Sequence, residues 1–236
     1  NEKESIIYFM KMLKEIKPDI ITRFNDHSYD WVYIKNKIDN YYHDLKREFY
    51  ECMNDSKYYT LTNDIIPFTT TTTKISADIQ PQDVIYPKSN FTIFIDTRVE
   101  YRKIYSKDIE SNLNYFLKKM KLNLKEDMPY KKLFQIYENK DEIGMLSATL
   151  YCLTDAYRCQ ELLVKKQIIN EHYNMAFMTG ITLKNSINRA NGFKVFNYLL
   201  KDGITQDYSF IYNKFEKEEK NYAGGYVADP VYGLNL

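Results

Sequence analysis

The sequence predicts an α/β fold, and three segments carry that prediction. Residues 19–24 form a short run rich in Ile, Thr and Phe, and residues 91–96 are almost wholly apolar, as buried strands are. Residues 3–16 precede the first strand, and their apolar side chains recur at helical spacing. That helix face consists of Ile6, Phe9, Met10, Leu13 and Ile16. Two strands separated by helical sequence favour a sheet with helices packed against it.

Composition limits the classes of function only weakly. The 236 residues carry 33 basic and 32 acidic side chains, so a nucleic-acid surface would have to be a local patch. Three cysteines without a Cys-x-x-Cys pair indicate a reducing compartment and neither a disulfide framework nor a zinc site. No apolar run is long enough to span a bilayer. Because the chain begins at Asn1 within a charged helical stretch, we expect a piece of a longer protein.

The first candidate site follows the strand at residues 19–24. Ser28 is a predicted cap for a new helix, and Asp30 lies in its first turn, where a carboxylate suits the helix dipole. The apolar side of that helix is expected to contain Trp31, Ile34, Ile38 and Tyr41. Asn25 and Asp30 therefore lie where a strand passes into a helix, a common place for a site in α/β folds. The alternative for Asp30 is a solvated carboxylate at a helix start.

The second candidate site lies on a long helix predicted for Ser147–Lys166. Tyr151 and Asp155 are four residues apart and therefore share one face, one turn apart. Beside them runs a predicted apolar stripe of Cys152, Ala156, Cys159 and Leu163. A carboxylate next to a buried stripe needs a partner, and a metal ion would be one. The alternative is an exposed Asp on a core helix.

Between these sites the pattern is less regular. Thr69–Thr73 is either a hairpin strand or a loop, and β-branched residues favour the hairpin. Pro81 and Pro87 are expected to bracket a connector. Asp108 and Glu110 are interpreted as solvated carboxylates in a polar, helix-like segment.

Several motifs, in order, resemble those of family B DNA polymerases. Asn25 through Tyr29-Asp30 resembles the second exonuclease motif, and Tyr151 through Asp155 resembles the third. Ser111–Tyr115 and Lys125–Lys131 are similar to the segment between those motifs and are expected to be mostly architectural. Tyr222-Ala223-Gly224-Gly225 looks like the motif that opens the polymerase palm. Arg189-Ala190-Asn191 departs from the family's Arg-Gly-Gln, which puts a local contact in doubt rather than the family.

The resemblance implies a fold, a domain order and a chemistry. It implies an incomplete ribonuclease-H-like 3′–5′ exonuclease domain over residues 1–170, a helical connector over 171–220 and the start of the palm over 221–236. Two divalent metals, Mg²⁺ or Mn²⁺, would serve the exonuclease. Asp30 and Asp155 would be metal ligands, and Tyr151 would orient the attacking water. Contacts to DNA would come from Asn25, Tyr222, Gly224 and Gly225.

The resemblance also implies partners and leaves alternatives open. The parent would be a viral-type DNA-directed DNA polymerase that binds a single-stranded 3′ end, primer–template DNA and dNTPs, with a processivity factor and no membrane. It would act inside the cell, in the host nucleus or at a cytoplasmic viral replication site. This chain alone is expected to be inactive, because the carboxylates of the first exonuclease motif are missing. One alternative is a decayed or structural fragment that binds DNA without catalysis. A weaker one is a non-polymerase exonuclease of the same fold.

Overall fold

The computed structural model describes residues 2–25, 29–54, 67–73 and 82–208, which form a mixed α/β structure that is mostly helical. The strands are β1 (Ile20–Arg23), β2 (Phe68–Thr73), β3 (Gln82–Pro87) and β4 (Ile93–Asp96). The first helices are α1 (Glu2–Ile16), α2 (Asp30–Asn40), α3 (Leu45–Met53), α4 (Thr97–Ile104) and α5 (Leu113–Lys119). The later helices are α6 (Tyr130–Glu138), α7 (Glu142–Lys165), α8 (Ile168–Thr179), α9 (Leu183–Asn188) and α10 (Asn191–Thr205).

The two strands predicted from apolar runs pair with each other. β1 and β4 are parallel, with Ile20 opposite Ile93 and Arg23 opposite Asp96. This pairing confirms the prediction of one sheet. Because the strands are parallel, their carboxyl ends meet at one edge, and the loop after β1 lies beside the start of α4.

The threonine run forms part of an antiparallel hairpin, as favoured from the sequence. β2 pairs with β3, and Phe68 lies opposite Pro87. The connector predicted up to Pro87 was wrong, because Gln82–Pro87 is a strand. Pro87 is compatible with it because, among the described strands, β3 pairs with β2 alone and is therefore an edge strand, where prolines occur in sheets. Pro81 lies outside the described residues.

One apolar core joins the N-terminal helices to the hairpin. Trp31 on α2 makes ring contacts with Phe9, Phe68 and Phe94.

The predicted helix faces were partly wrong at their ends. In α1, Ile6, Met10 and Leu13 are buried, whereas Ile16 is 62% exposed. Tyr41 follows the last residue of α2 and is 71% exposed, because the helix ends before its side chain can turn inward.

A second core lies under α7, which packs against β1 and α5. The helix begins at Glu142 rather than at Ser147 as predicted, because Asp141 already ends the preceding turn. Cys159 and Leu163 are buried as expected, but Cys152 and Ala156 are exposed. The Tyr101 hydroxyl donates to the Leu162 carbonyl oxygen at 2.9 Å and ties α4 to α7.

Among the described helices, none combines the length and the apolar character that a membrane span requires.

Candidate active site

A pocket of about 940 Å³ opens at the carboxyl ends of β1 and β4. Its walls come from the β1–α2 connection, the start of α4, the segment around the start of α5 and the middle of α7. Asn25, Asp30 and Asp155 all line it. Residues far apart in sequence thus reach one cavity, because the parallel strands end at the same edge and α7 packs across β1.

Lys125 links two of the predicted residues. Its Nζ donates to Asp155 Oδ2 at 2.9 Å and to the Tyr151 hydroxyl at 3.0 Å. Burial alone would lower the pKa of Lys125, but the hydrogen bonds to Asp155 and Tyr151 outweigh it and raise that pKa. Lys125 is therefore a cation held against a carboxylate and a phenol oxygen. Since the Tyr151 oxygen accepts from Lys125, its own proton remains available to an acceptor such as water.

The backbone of Lys125 is held by a single side chain. The Asn114 carboxamide accepts from the Lys125 N–H at 3.1 Å and donates to the Lys125 carbonyl at 3.3 Å. Residues 120–129 lie between α5 and α6 without regular structure, so these two bonds replace the ladder that a helix or strand would supply. Asn114 therefore fixes the point from which the lysine side chain reaches α7.

Three carboxylates line the pocket, and two of them, Asp30 and Asp155, are the predicted site residues that could offer oxygen atoms to a cation; Asp127 is the third. Asp155 Oδ1 is buried and, within the described part of the chain, has no hydrogen-bond partner. Asp30 lies at the pocket wall, and desolvation raises the pKa of its carboxyl group above the ordinary value. Mg²⁺ prefers oxygen ligands and is often held by one or two carboxylates plus water. Both side chains carry ligand atoms of this type, and no group of three or more His, Cys, Asp or Glu suited to a metal occurs among the described residues.

Asn25 has a left-handed backbone with φ of 61°, which asparagine tolerates better than most residues. Its N–H donates to Asp96 Oδ1 at 3.2 Å, and its own Oδ1 accepts from Arg98 Nη1. Asp96 also caps α4 by accepting from the N–H groups of Arg98 and Val99. One buried carboxylate thus fixes both the loop after β1 and the helix after β4.

The predicted site residues fall into three groups. Asn25, Asp30 and Asp155 line the pocket, and Tyr151 is joined to it through Lys125. Tyr222, Gly224 and Gly225 lie outside the described residues, as does Ser28. The helix cap predicted at Ser28 was wrong, because α2 begins at Asp30 and Tyr29 occupies its cap position without a side-chain cap hydrogen bond. The surface interpretation of residues 108–110 is confirmed for Glu110, which is exposed like Ile109, whereas Asp108 is only partly exposed and pairs with Lys119. Their placement in a helix was wrong, because they lie between α4 and α5.

Sequence reasoning missed several residues that shape this pocket. Lys125 belongs to the segment that was expected to be mostly architectural, and it contacts both predicted residues of α7. No local pattern marks a lysine in an irregular segment as a partner of a helix 26 residues further on. Asp96 had a usable signal, because it directly follows a buried strand and precedes a helix.

Comparison with known proteins adds independent information. A family model described as DNA polymerase family B, exonuclease domain, matches residues 1–120. The DNA polymerase beta of African swine fever virus is 30% identical over 99% of this chain and 20% of its own length. The DNA polymerase delta catalytic subunit of Drosophila melanogaster is 24% identical over 100% of this chain and 21% of its own length. The chain thus spans about a fifth of the length of these curated relatives.

The residues matched by the family model include those that line one side of the pocket. Residues 1–120 include β1, Asn25, Asp30 and β4, and the two relatives extend the similarity across α7. The matched region covers just over half of the 236 residues. The chain therefore belongs to DNA polymerase family B, in the region of its exonuclease domain.

Proposed function

We propose that this chain is most of the 3′–5′ proofreading exonuclease domain of a DNA-directed DNA polymerase that acts in DNA replication. The main support is that Asp30 and Asp155, on helices separated by most of the chain, line one pocket together with Asn25. A carboxylate-bearing pocket at a sheet edge is suited to hydrolysis of a phosphodiester. The substrate would be the single-stranded 3′ end of a DNA primer.

Each residue has a role that its contacts allow. Asn25, held by Asp96 and Arg98, would bind the frayed strand through its remaining amide donors. Tyr151 would orient the attacking water with its free hydroxyl proton. Lys125 would fix the positions of the Tyr151 and Asp155 side chains relative to each other, since its ammonium group contacts both. Because these groups are positioned before substrate arrives, little reorganisation is needed at the moment of reaction.

A divalent cation, Mg²⁺ or Mn²⁺, would supply activation of the water and neutralisation of the charge that develops on the leaving oxygen. Asp30 and Asp155 would hold it, and the partnerless oxygen of Asp155 is the atom that supports this assignment. A pair of metals needs more carboxylates than these two residues offer. For that reason we expect the chain alone to be catalytically silent.

The wider assignments rest on the same family membership. We assign residues 1–170 to a ribonuclease-H-like exonuclease domain, 171–220 to a helical connector and 221–236 to the start of the palm. Tyr222, Gly224 and Gly225 would contact DNA there. The intact polymerase would use primer–template DNA and dNTPs and would work with a processivity factor inside the cell, in the nucleus or at a cytoplasmic viral replication site.

The experiment measures two activities of the intact polymerase on the same labelled DNA. Asp155→Ala should abolish stepwise shortening of a single-stranded oligonucleotide in Mg²⁺ and leave primer extension intact. Asp108→Ala is the matched control, because that aspartate pairs with Lys119 away from the pocket and should change neither activity. Equal exonuclease rates for wild type and Asp155→Ala would contradict the proposal.

A structural fragment that binds DNA without catalysis remains the second candidate. The observation that favours it is Lys125, which already neutralises Asp155 and competes with a metal ion for one of its oxygens. Under this reading the intact wild-type protein would bind single-stranded DNA and fail to shorten it. The same oligonucleotide assay therefore separates the two candidates.

A further inference from the structure

One cation of the pocket is not explained by the roles given above. Of the basic residues that line it, Lys125 pairs with Asp155, and Arg23 lies over the rings of Tyr86 and Phe94. Arg98 also lines the pocket, yet within the described ranges no carboxylate lies within salt-bridge distance of its guanidinium. A partly buried cation in such a position is suited to an anionic ligand.

The Arg98 side chain is held rigidly by neutral partners. Its Nε donates to the Ser111 carbonyl at 3.2 Å and to Ser111 Oγ at 3.3 Å, and its Nη2 donates to Ser111 Oγ at 3.0 Å. Its Nη1 donates to Asn25 Oδ1. A guanidinium has five N–H groups, and these contacts leave one on each Nη atom. Donors on both Nη atoms of one planar group are suited to the oxygens of a phosphate.

The charge of Arg98 is also unfavourably placed in the absence of an anion. Burial, followed by the charge of Arg102, lowers the pKa of Arg98, and the carboxylate of Asp96 opposes that shift. An anion that entered the pocket would offset this electrostatic cost. Phosphate is the anion that a DNA strand brings, and Asn25 lies directly beside the guanidinium.

We propose that Arg98 binds a backbone phosphate of single-stranded DNA on the Asn25 side of the pocket. This inference rests on the proposed function and names a contact that its assigned residues do not provide. The same guanidinium holds Asn25, so the phosphate and the neighbouring nucleotide would be bound as a unit. Arg98 is thus a substrate-binding residue as well as a support for Asn25.

The test is the salt dependence of binding of a labelled oligo(dT) to the 236-residue chain, measured by fluorescence anisotropy in EDTA. Loss of one phosphate contact should reduce the slope of log K against log salt by about 0.7. We expect that reduction in Arg98→Gln, with about tenfold weaker binding at low salt. Arg98→Lys should keep the slope because it keeps the charge. Arg47→Gln, an exposed arginine of α3 outside the pocket lining, should leave slope and affinity unchanged.

Asn25→Gly separates the two roles of Arg98. It preserves the left-handed backbone and removes the amide, so it should weaken binding without changing the slope. A wild-type slope in Arg98→Gln, or the same loss of slope in Arg47→Gln, would overturn the inference about Arg98 alone. If Arg98→Gln fails to melt cooperatively, Arg98→Met decides by the same criterion. A wild-type chain that binds no oligo(dT) even at low salt would instead contradict the proposed function.

Discussion

Asp155 and Lys125 form an ion pair of 2.9 Å in which only one carboxylate oxygen is used, while Asp155 Oδ1 stays buried without a hydrogen-bond partner in the described structure. A lysine from an irregular segment and an aspartate from the middle of α7 are thereby joined at the pocket wall. The pair leaves one carboxylate oxygen for another cation. This arrangement underlies the first two predictions.

Lys125→Met should reduce exonuclease activity of the intact polymerase by about tenfold to a hundredfold, because Asp155 and Tyr151 lose the group that orients both. Lys125→Arg should retain part of the activity, since it keeps the charge. Single-turnover shortening of labelled single-stranded DNA is the measurement. Lys131→Met, an exposed lysine at the start of α6, serves as the control. Full activity in Lys125→Met would show that the ion pair is not needed for the reaction.

Asn114→Ala should lower the free energy of unfolding by about 1–2 kcal/mol, because it leaves the Lys125 backbone N–H and carbonyl without their partner. Urea denaturation followed by circular dichroism measures this difference. Asn123→Ala is the matched control from the same connecting segment, where the side chain is exposed. Equal stability of the two variants would mean that Asn114 does not hold the segment.

Asp96→Ala should destabilise the fold by about 1–2 kcal/mol through the lost cap of α4, and by more if the loop at Asn25 is released. Asp141→Ala tests the same substitution at the first residue before α7, where the side chain makes no capping hydrogen bond. Thermal unfolding of both variants gives the comparison. A smaller loss in Asp96→Ala than in Asp141→Ala would be inconsistent with the capping role.

Glu100 makes the stability of the helical part sensitive to acid. Burial raises its pKa, but the hydrogen bond to His172 and the charge of Lys103 outweigh burial and leave the pKa below the ordinary 4.5. A carboxyl group whose pKa is lowered by folding contributes stability at pH values above its unfolded pKa. That contribution is lost as the pH falls through the folded pKa. Wild type should therefore lose stability as pH falls below about 4.5, and Glu100→Gln should lose less over that interval.

Urea midpoints at neutral pH and at acid pH measure this linkage. Glu138→Gln, at the exposed end of α6, is the control and should keep the wild-type pH dependence. At neutral pH Glu100→Gln should be less stable by about 2 kcal/mol, because the charged partner of His172 is gone. Identical pH profiles for wild type and Glu100→Gln would refute the assignment of this linkage to Glu100.

Local sequence patterns predicted the strands and helices whose formation depends mainly on the burial of their own apolar residues. The apolar runs that became β1 and β4 and the helical spacing in α1 were informative because burial acts on each segment directly. The family motifs brought Asn25, Asp30 and Asp155 to attention, and the structure places them on one pocket. Their roles in catalysis remain predictions.

Contacts between distant segments were not predictable in the same way. The hydrogen bonds of Lys125 depend on how the segment between α5 and α6 folds back on α7, and no periodicity encodes that path. Gln82–Pro87 was misjudged because its proline suggested a break, whereas β3 is an edge strand of the described hairpin, where proline is tolerated. Arg98 is half-buried only because β4 delivers it beside the loop after β1.

The central claim is that Asp30 and Asp155 serve one reaction in one pocket. The most direct measurement is the single-turnover rate of 3′-end removal by the intact polymerase carrying Asp30→Ala, Asp155→Ala or both, with primer extension measured in parallel. We predict a loss of about a hundredfold or more for each single variant, no further loss in the double variant, and unchanged extension. Wild-type exonuclease rates in either single variant, or losses that multiply in the double variant, would contradict the account.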